Sequence, residues 1–258
     1  MTREKLLTKY DHVFKNEKDY YGKSKVKINE NFNLDNEDFF KLVYQKFKKM
    51  LGNVKGKDIL DIGCGNGALS FYLARRKAKV TGIDISPNFI EACQKVAENS
   101  NLDLKFKSMN AQIPDFGNDV FDIIVGSRVI HHLPNIELFF KECKRILKKK
   151  GFILFIEPLK KNIIVELNRK FFAPSKRTRH EHPLRISDLE KAAEIFNNIE
   201  HYEFFLLSPL ARFFQNFIKK KQLFKVSYKF LNIIEKPLCK IKYMKPYCWQ
   251  TVFKCVKL

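Results

Sequence analysis

The stretch ILDIGCGNG, residues 59–67, decides the fold class of this chain. The apolar run DILDI at 58–62 is typical of a strand, and the glycines that follow allow a tight turn into a helix. A second strand-like run, KVTGID at 79–84, ends in Asp84. This unit runs from a strand through a glycine turn and a helix to a second strand that ends in an acid. It predicts a ligand site at the carboxyl edge of a parallel sheet.

Strand-like and helical patterns alternate on both sides of this unit. The alternation predicts a Rossmann-like α/β fold, with a mainly parallel seven-stranded sheet, helices on both faces and a helical insertion near the C-terminus. The further predicted strands are 102–108, 121–127, 152–157, 201–207 and 249–256. The predicted helices are 35–51, 68–76, one capped by Ser86 before Pro87, 135–148, 161–172 and 187–196.

The chemistry of the glycine turn favours one cofactor class over another. Dinucleotides require the spacing G-x-G-x-x-G, with a pyrophosphate at the helix N-terminus. Here the spacing is G-x-G-x-G, and Asp61 stands two residues before the first glycine. A carboxylate would repel a pyrophosphate but would attract the ammonium of a methionine moiety. The turn therefore favours S-adenosyl-L-methionine (SAM) over NAD.

Four stretches resemble the class I SAM-dependent methyltransferases: ILDIGCGNGALSFYLA, VTGIDISPNFIEAC, MNAQIPDFGNDVFDIIVGSRVIHHLPN and the strand that ends in IEP. They cover about residues 57–157 in the family's order. The resemblance implies SAM as the cofactor. It implies contacts to the methionine part from Asp61, Gly63 and Gly65, to the ribose from Asp84, to the adenine from Ile85, Asn110 and Ala111, and near the sulfonium from Ser127. Cys64, within the glycine turn, is included among the cofactor-binding residues. Many relatives carry Asp where this chain has Asn110, an uncharged side chain that still offers a carbonyl oxygen.

With that resemblance, the chain divides into a lead-in and one catalytic domain. We predict a helical lead-in or lid over residues 1–52 and a methyltransferase domain over 53–258. Insertions on the acceptor side are expected at 158–186 and 208–245.

Three residues are candidates for catalysis beyond cofactor binding. His131 and His132 follow the fourth strand, at the edge to which the methyl group would point, and a neutral imidazole is a suitable base there. Glu157, at the end of the fifth strand, is the third candidate. The alternative is structural: the histidines pack or bond to the backbone, and the glutamate braces a loop.

A metal site is not predicted. His180, Glu181 and His182 are consecutive, and adjacent side chains on an extended chain point in alternate directions, which suits a single ion poorly. A basic loop over the acceptor pocket is the preferred interpretation, in which Arg177, Arg179, His180 and Arg185 meet an anionic substrate. A solvated loop is the alternative.

The formal charge of +21 favours anionic partners such as nucleic acid, acidic lipid or a phosphorylated substrate. Residues 158–258 carry 21 of the 49 basic but only 8 of the 28 acidic side chains. Abundant Lys, Asn, Ile and Phe is also typical of AT-rich genomes, so the charge alone does not decide. Leu210, Phe213, Phe214 and Phe217 form an apolar stripe before Lys219–Lys221, which suits either a lid or a helix on an anionic membrane.

The resulting hypothesis is a methyltransferase for a small-molecule or lipid-linked acceptor. A nucleic-acid (RNA) methyltransferase is the first alternative, although SRVIHHLP stands where amino-directed enzymes carry an Asn/Asp-Pro-Pro-aromatic motif. A non-catalytic SAM-binding protein is the second. The six cysteines form no CxxC pair, which favours a reducing, cytoplasmic setting, with peripheral membrane contact as an option.

Overall fold

A seven-stranded sheet organises the chain in the computed structural model, which describes residues 3–22, 26–35, 39–172, 181–211 and 221–258. The strands are β1 (Asp58–Ile62), β2 (Lys79–Asp84), β3 (Leu104–Ser108), β4 (Phe121–Ser127), β5 (Leu147–Pro158), β6 (Glu200–Phe204) and β7 (Gln250–Val256). Their order is β3-β2-β1-β4-β5-β7-β6. Strands β1 to β5 pair in parallel, whereas β7 runs antiparallel to both β5 and β6. The predicted, mainly parallel fold is confirmed.

Helices cover both faces of this sheet, because the strands present apolar side chains on either side. They are α1 (Arg3–Gly22), α2 (Lys41–Leu51), α3 (Ala68–Ala74), α4 (Pro87–Glu98), α5 (Ile136–Ile146), α6 (Ile163–Phe172), α7 (Ile186–Phe196) and α8 (Lys221–Leu238). A short 3-10 helix at Ile130–His132 follows β4, and another at Lys245–Tyr247 precedes β7. Within the described ranges, no helix combines the length and apolar composition needed to cross a membrane.

Several predicted boundaries move, each for a local reason. The helix predicted over 135–148 ends at Ile146, because Leu147 already pairs with Phe121 in the sheet. The strand predicted over 201–207 ends at Phe204, because Phe205 adopts a positive φ of 67°. The helix predicted over 35–51 begins only at Lys41.

The predicted cap at Ser86 is wrong in its chemistry. Ser86 does occupy the residue before α4, but its hydroxyl makes no capping hydrogen bond. Its backbone N–H instead donates to Oδ1 of Asp84 at 2.9 Å. The backbone of Ser86 therefore stabilises the Asp84 carboxylate, while its side chain does not cap the helix.

The region predicted as an insertion, 208–245, contains α8, and the second 3-10 helix begins at its last residue, Lys245. One face of α8 packs on the domain, where the rings of Phe224 and Tyr228 lie 6.1 and 4.9 Å from that of Phe39. The predicted stripe residues Phe213, Phe214 and Phe217 lie outside the described residues.

Candidate active site

A cleft opens at the carboxyl ends of β1, β2 and β4, where the predicted site residues meet. It has two adjoining cavities, of about 210 and 380 Å³, which share Gly63, Gly65 and Arg128 in their walls. Of the predicted residues, the first cavity also contains Asp84, Ile85, Asn110, Ala111 and His132. The second also contains Asp61, Cys64 and Ser127. The structure thus brings all nine predicted cofactor residues to one cleft.

The glycine turn approaches the cleft with its backbone. Gly63 has a φ of 67°, and a Cβ at this position would lie 2.5 Å from Cγ2 of Val129. The N–H groups of Gly63 and Cys64 both donate to the carbonyl of Ile83, at 2.8 and 3.0 Å. The turn is thereby tied to the end of β2, and a side chain at Gly63 would push it away from the β4 loop.

Asp84 is held in place by two backbone donors. Oδ2 accepts from the N–H of Gly65 and Oδ1 accepts from that of Ser86, both at 2.9 Å. Burial raises the pKa of Asp84 above its ordinary value, and these two donors oppose the shift. Each carboxylate oxygen has a second lone pair, so Asp84 can still accept two hydroxyl groups from a ligand in the first cavity.

The far end of the first cavity is largely apolar. Ile85, Phe89, Ala111 and Leu133 line it, which suits a flat, weakly polar ring. Asn110 stands at its edge, and its side-chain oxygen already accepts from the N–H of Gln112 at 2.9 Å. Asn110 therefore shapes the loop as well as facing the cavity.

The second cavity has a carboxyl group, from Asp61, and a guanidinium group, from Arg128, in its wall. Asp61 is buried, and its Oδ2 accepts from the hydroxyl of Ser70 at 2.5 Å. Burial raises the pKa of Asp61 to about 7, and the Ser70 hydrogen bond opposes that shift. Arg128 has a φ of 58°, a strained conformation for a residue with a side chain. Among the described residues, Arg128 forms no ion pair; its guanidinium lies 5.6 Å from the ring of Phe40.

Glu157 braces the loop after β4. The side chain is fully buried; Oε1 accepts from the N–H groups of Val129 and Ile130, both at 2.8 Å. Its other oxygen lies 2.7 Å from Nδ1 of His131, which is also buried. Both oxygens are thus committed to this loop, so the geometry supports a positioning role for Glu157 and His131.

His132 is the predicted catalytic residue that lines the cleft. Its Nε2 lies 3.2 Å from the hydroxyl of Tyr21, and its Nδ1 lies 3.1 Å from Oε2 of Glu17. Both partners come from α1 and line the same cavity as His132. Burial raises the pKa of Tyr21, and the Glu17 carboxylate adds to the shift, so the phenol stays protonated. A histidine, an orienting carboxylate and a phenol therefore meet at one wall.

The loop before α7 approaches the same histidines. One potential ligand atom from each of His131, His132 and Glu181 lies within 4.8 Å of the others. Glu181 also accepts from Nη2 of Arg169 at 2.9 Å, so a cation already stands beside this carboxylate. Arg177, Arg179 and His180, which were expected to meet an anionic substrate, lie outside the described residues. Arg185 is exposed at the start of α7.

Glu17, Tyr21 and Arg128 were not singled out from the sequence. Aromatic residues scattered through the polar run YDHVFKNEKDYYG were the available signal for the first two. No pattern in SRVIHHLP marks Arg128, because a positive φ is visible only in the folded backbone.

Part of the chain is similar to known methyltransferases. Residues 60–155 match the family described as "Methyltransferase domain". The chain is 34% identical over 102 residues to the ubiquinone biosynthesis O-methyltransferase of Coxiella burnetii, covering 40% of this chain and 44% of the relative. It is 38% identical over 117 residues to that of Pelagibacter ubique, covering 45% and 46%. The chain thus spans less than half the length of these relatives.

Solved structures share the fold across most of the chain. The geranyl diphosphate C-methyltransferase of Streptomyces coelicolor, solved with Mg²⁺, geranyl diphosphate and S-adenosyl-L-homocysteine, has a TM-score of 0.62 at 12% identity, covering 95% of this chain and 98% of that one. The phosphoethanolamine N-methyltransferase 2 of Haemonchus contortus, solved with S-adenosyl-L-methionine, has a TM-score of 0.56 at 17% identity, covering 91% and 61%. At these identities the likeness shows the fold alone.

Proposed function

We propose, on the premise that residues 60–155 form a class I SAM-dependent methyltransferase domain, that the protein transfers a methyl group from SAM to a small-molecule or lipid-linked acceptor. The observation that carries the proposal is the single cleft that unites the glycine turn, Asp84 and the His132 wall. The fold alone would not carry it, because one fold serves many activities.

The cleft fits each part of the cofactor. Asp84 has free lone pairs for the two ribose hydroxyls, and the apolar end beyond Ile85 suits an adenine. In the second cavity, Asp61 and Arg128 offer opposite charges, as the ammonium and carboxylate of a methionine moiety require. We assign these four residues, with Gly63, Gly65, Cys64, Asn110, Ala111 and Ser127, to cofactor binding.

His132 is the proposed base. SAM supplies an electrophilic methyl group when bound, and the acceptor must present a deprotonated or readily deprotonated atom to it. His132 faces the cavity, and Glu17 lies beside its other nitrogen and orients the imidazole. The hydroxyl of Tyr21 lies 3.2 Å from Nε2 of His132, so it would accept the acceptor's proton and pass its own proton to that nitrogen, and the same side chain helps to close the cleft.

The helix that carries Glu17 and Tyr21 is the proposed lid. Phe14, Glu17 and Tyr21 all line the first cavity, so α1 covers a cleft that the sheet edge would leave open. Excluding water in this way strengthens the polar interactions inside and protects the acceptor. The proposal includes a helical lead-in at 1–52 and a methyltransferase domain at 53–258.

The acceptor is proposed to bear a hydroxyl group, in line with the O-methyltransferase name of the curated relatives. Its anionic or lipid-linked character is proposed from the net charge of +21, and a lipid-linked acceptor would be met at an anionic membrane surface. A cytoplasmic location with peripheral membrane contact is the matching setting.

Incorporation of labelled methyl groups tests the proposal. The protein is incubated with methyl-labelled SAM and either catechol, as a minimal aromatic hydroxyl acceptor, or a lipid extract of its host. Labelled methyl ether is expected in at least one, and Asp84→Ala should abolish it. Labelled products that carry the methyl group only on nitrogen or carbon would refute O-methylation.

Nucleic acid is the acceptor to exclude. If RNA binds only through the general positive charge, binding should be independent of sequence and fall steeply with salt. Stoichiometric methylation of one defined RNA position would overturn the small-molecule assignment. A protein that binds SAM tightly but methylates none of these acceptors would favour the non-catalytic alternative.

A further inference from the structure

A third, larger cavity of about 630 Å³ lies away from the glycine turn, between α2, β6 and α8. Its walls come from the opposite side of α2 to the one that faces the cleft, where Phe40, Tyr44 and Phe47 are found. Basic side chains dominate its polar lining: Lys46, Lys49, Lys236, Lys240, Lys245 and His201. We refer to this cavity as the lysine groove.

The two acids in the lysine groove, Glu203 and Glu235, offset only part of its basic charge. Glu203 is buried and already interacts with His201 at 2.5 Å and Lys245 at 3.2 Å. Glu235 is buried too, and its oxygens accept from the N–H groups of Leu207 and Ser208 and from the Ser208 hydroxyl.

Four lysines therefore remain available in the groove. Across the described part of the chain, Lys46, Lys49, Lys236 and Lys240 make no ion pair, although the ammonium of Lys46 lies 3.4 Å from the ring centre of Tyr202. Several uncompensated ammonium groups around one concave surface favour an anionic ligand, and a phosphate accepts hydrogen bonds from such groups.

An exposed apolar stripe adjoins the lysine groove on α8. The side chains of Val226, Phe230 and Ile233 are 64%, 62% and 66% exposed, and their spacing puts them on one helical face. Lys236 follows Ile233 by three residues and belongs to the groove wall. The helix thus presents apolar side chains to solvent next to Lys236, one of the lysines of the groove wall.

We propose that the lysine groove and this stripe form a docking surface for an anionic phospholipid membrane. Lipid phosphates would contact the lysines, and Val226, Phe230 and Ile233 would enter the boundary between headgroups and acyl chains. The inference rests on the membrane contact included in the proposed function and assigns that contact to residues outside the methyl-transfer cleft. The apolar stripe predicted from the sequence, Leu210, Phe213, Phe214 and Phe217, is not part of this surface.

Vesicle sedimentation of the full chain tests the surface. The vesicles contain equal parts of phosphatidylcholine and phosphatidylglycerol. We expect Lys46→Gln/Lys49→Gln/Lys236→Gln to weaken binding at least about tenfold. The control Lys79→Gln/Lys105→Gln/Lys149→Gln removes the same charge from exposed lysines elsewhere and should weaken binding less than about threefold.

A third variant separates docking from general charge. Phe230→Ser should also weaken vesicle binding, and the residual binding should become more sensitive to salt. Equal losses in the two triple variants, or no binding of the wild-type protein, would overturn the proposal. Binding of soluble pyrophosphate through the same lysines without vesicle binding would identify a free-phosphate site and also overturn it. Each variant should keep wild-type affinity for S-adenosyl-L-homocysteine, so failure here leaves the methyltransferase proposal separately testable.

Discussion

The hydroxyl of Tyr21 lies 3.2 Å from Nε2 of His132, although 111 positions separate the two residues in the chain. Their rings meet edge to face, with centroids 5.8 Å apart. One residue comes from the helix that covers the cleft and the other from the loop after β4. If α1 is the proposed lid and His132 the proposed base, this contact would join the two parts of the proposal at one point of the cleft.

Substitution of this pair should affect turnover more than cofactor binding. Because His132 is the proposed base, we expect His132→Gln to lower kcat by roughly 10²–10⁴-fold. Tyr21→Phe should lower it about tenfold, because one hydrogen bond is lost. Affinity for S-adenosyl-L-homocysteine should stay within about threefold. Tyr20→Phe, at a neighbouring position that is 41% exposed, is the matched control. Unchanged kcat in His132→Gln would refute the base assignment.

Removal of the Asp84 carboxylate should abolish most cofactor binding. Loss of a charge-assisted partner costs about 1.5–3 kcal/mol, so Asp84→Ala should weaken binding of S-adenosyl-L-homocysteine roughly 10- to 150-fold by calorimetry. Asp103→Ala, on an exposed acid just before β3, should have no effect. Wild-type affinity in Asp84→Ala would contradict the ribose assignment, and binding of NADH in place of SAM would contradict the cofactor.

Arg128 should discriminate between two ligands that differ in their amino-acid part. We expect Arg128→Gln to weaken S-adenosyl-L-homocysteine about tenfold or more, because its carboxylate loses a partner. Methylthioadenosine lacks that carboxylate, so its affinity should not change. Arg76→Gln, which removes an arginine that lies over Tyr72, serves as the control. A loss for both ligands in Arg128→Gln would mean that the variant disturbs the loop rather than one contact.

Cofactor affinity should depend on pH through Asp61. Burial raises the pKa of this carboxyl to about 7, so the ligand-free protein protonates it below neutrality. Because a ligand ammonium needs the ionised form, S-adenosyl-L-homocysteine should bind more tightly as pH rises from about 6 to about 8. Asp61→Asn should lose both affinity and this pH dependence. An unchanged pH profile in Asp61→Asn would assign the effect elsewhere.

The same carboxyl should limit stability at high pH. Its pKa is higher in the folded protein than in an unfolded chain, so its contribution to folding is full below about pH 4. That contribution is lost as pH rises through about 7. In the ligand-free protein, Asp61→Asn should therefore raise the Tm at pH about 8 and leave it nearly unchanged at pH about 4. Thermal denaturation at both values, with Asp103→Asn as the control, measures the difference.

Chelation of metal ions should leave methyl transfer unchanged. His131 interacts with Glu157 and His132 with Glu17, while Arg169 places a positive charge beside Glu181. A divalent ion would have to compete with all of these partners. Activity with excess EDTA is the measurement, and a loss restored by added Zn²⁺ or Mg²⁺ would instead identify these residues as ligands.

The ends of the strands near the cleft can be predicted from the sequence where they depend only on residues adjacent in the chain. The strands 58–62, 79–84 and 121–127 were predicted to the residue, because each is an apolar run bounded by polar or turn residues. The fifth strand was predicted too short, since its first residue pairs across the sheet with Phe121. Ser86 looked like a cap, yet its N–H bonds to Asp84, which no local propensity reveals.

The sequence by itself determined the strand, glycine turn, helix and acid that build a cofactor cleft, because their spacing and backbone freedom are properties of a short segment. Only the tertiary structure decided which groups complete the cleft. Tyr21 reaches His132 through the packing of α1, and Arg128 shares a cavity with Asp61 through a strained backbone conformation. Such contacts join distant parts of the chain, and they form only when the burial of the core brings those parts together.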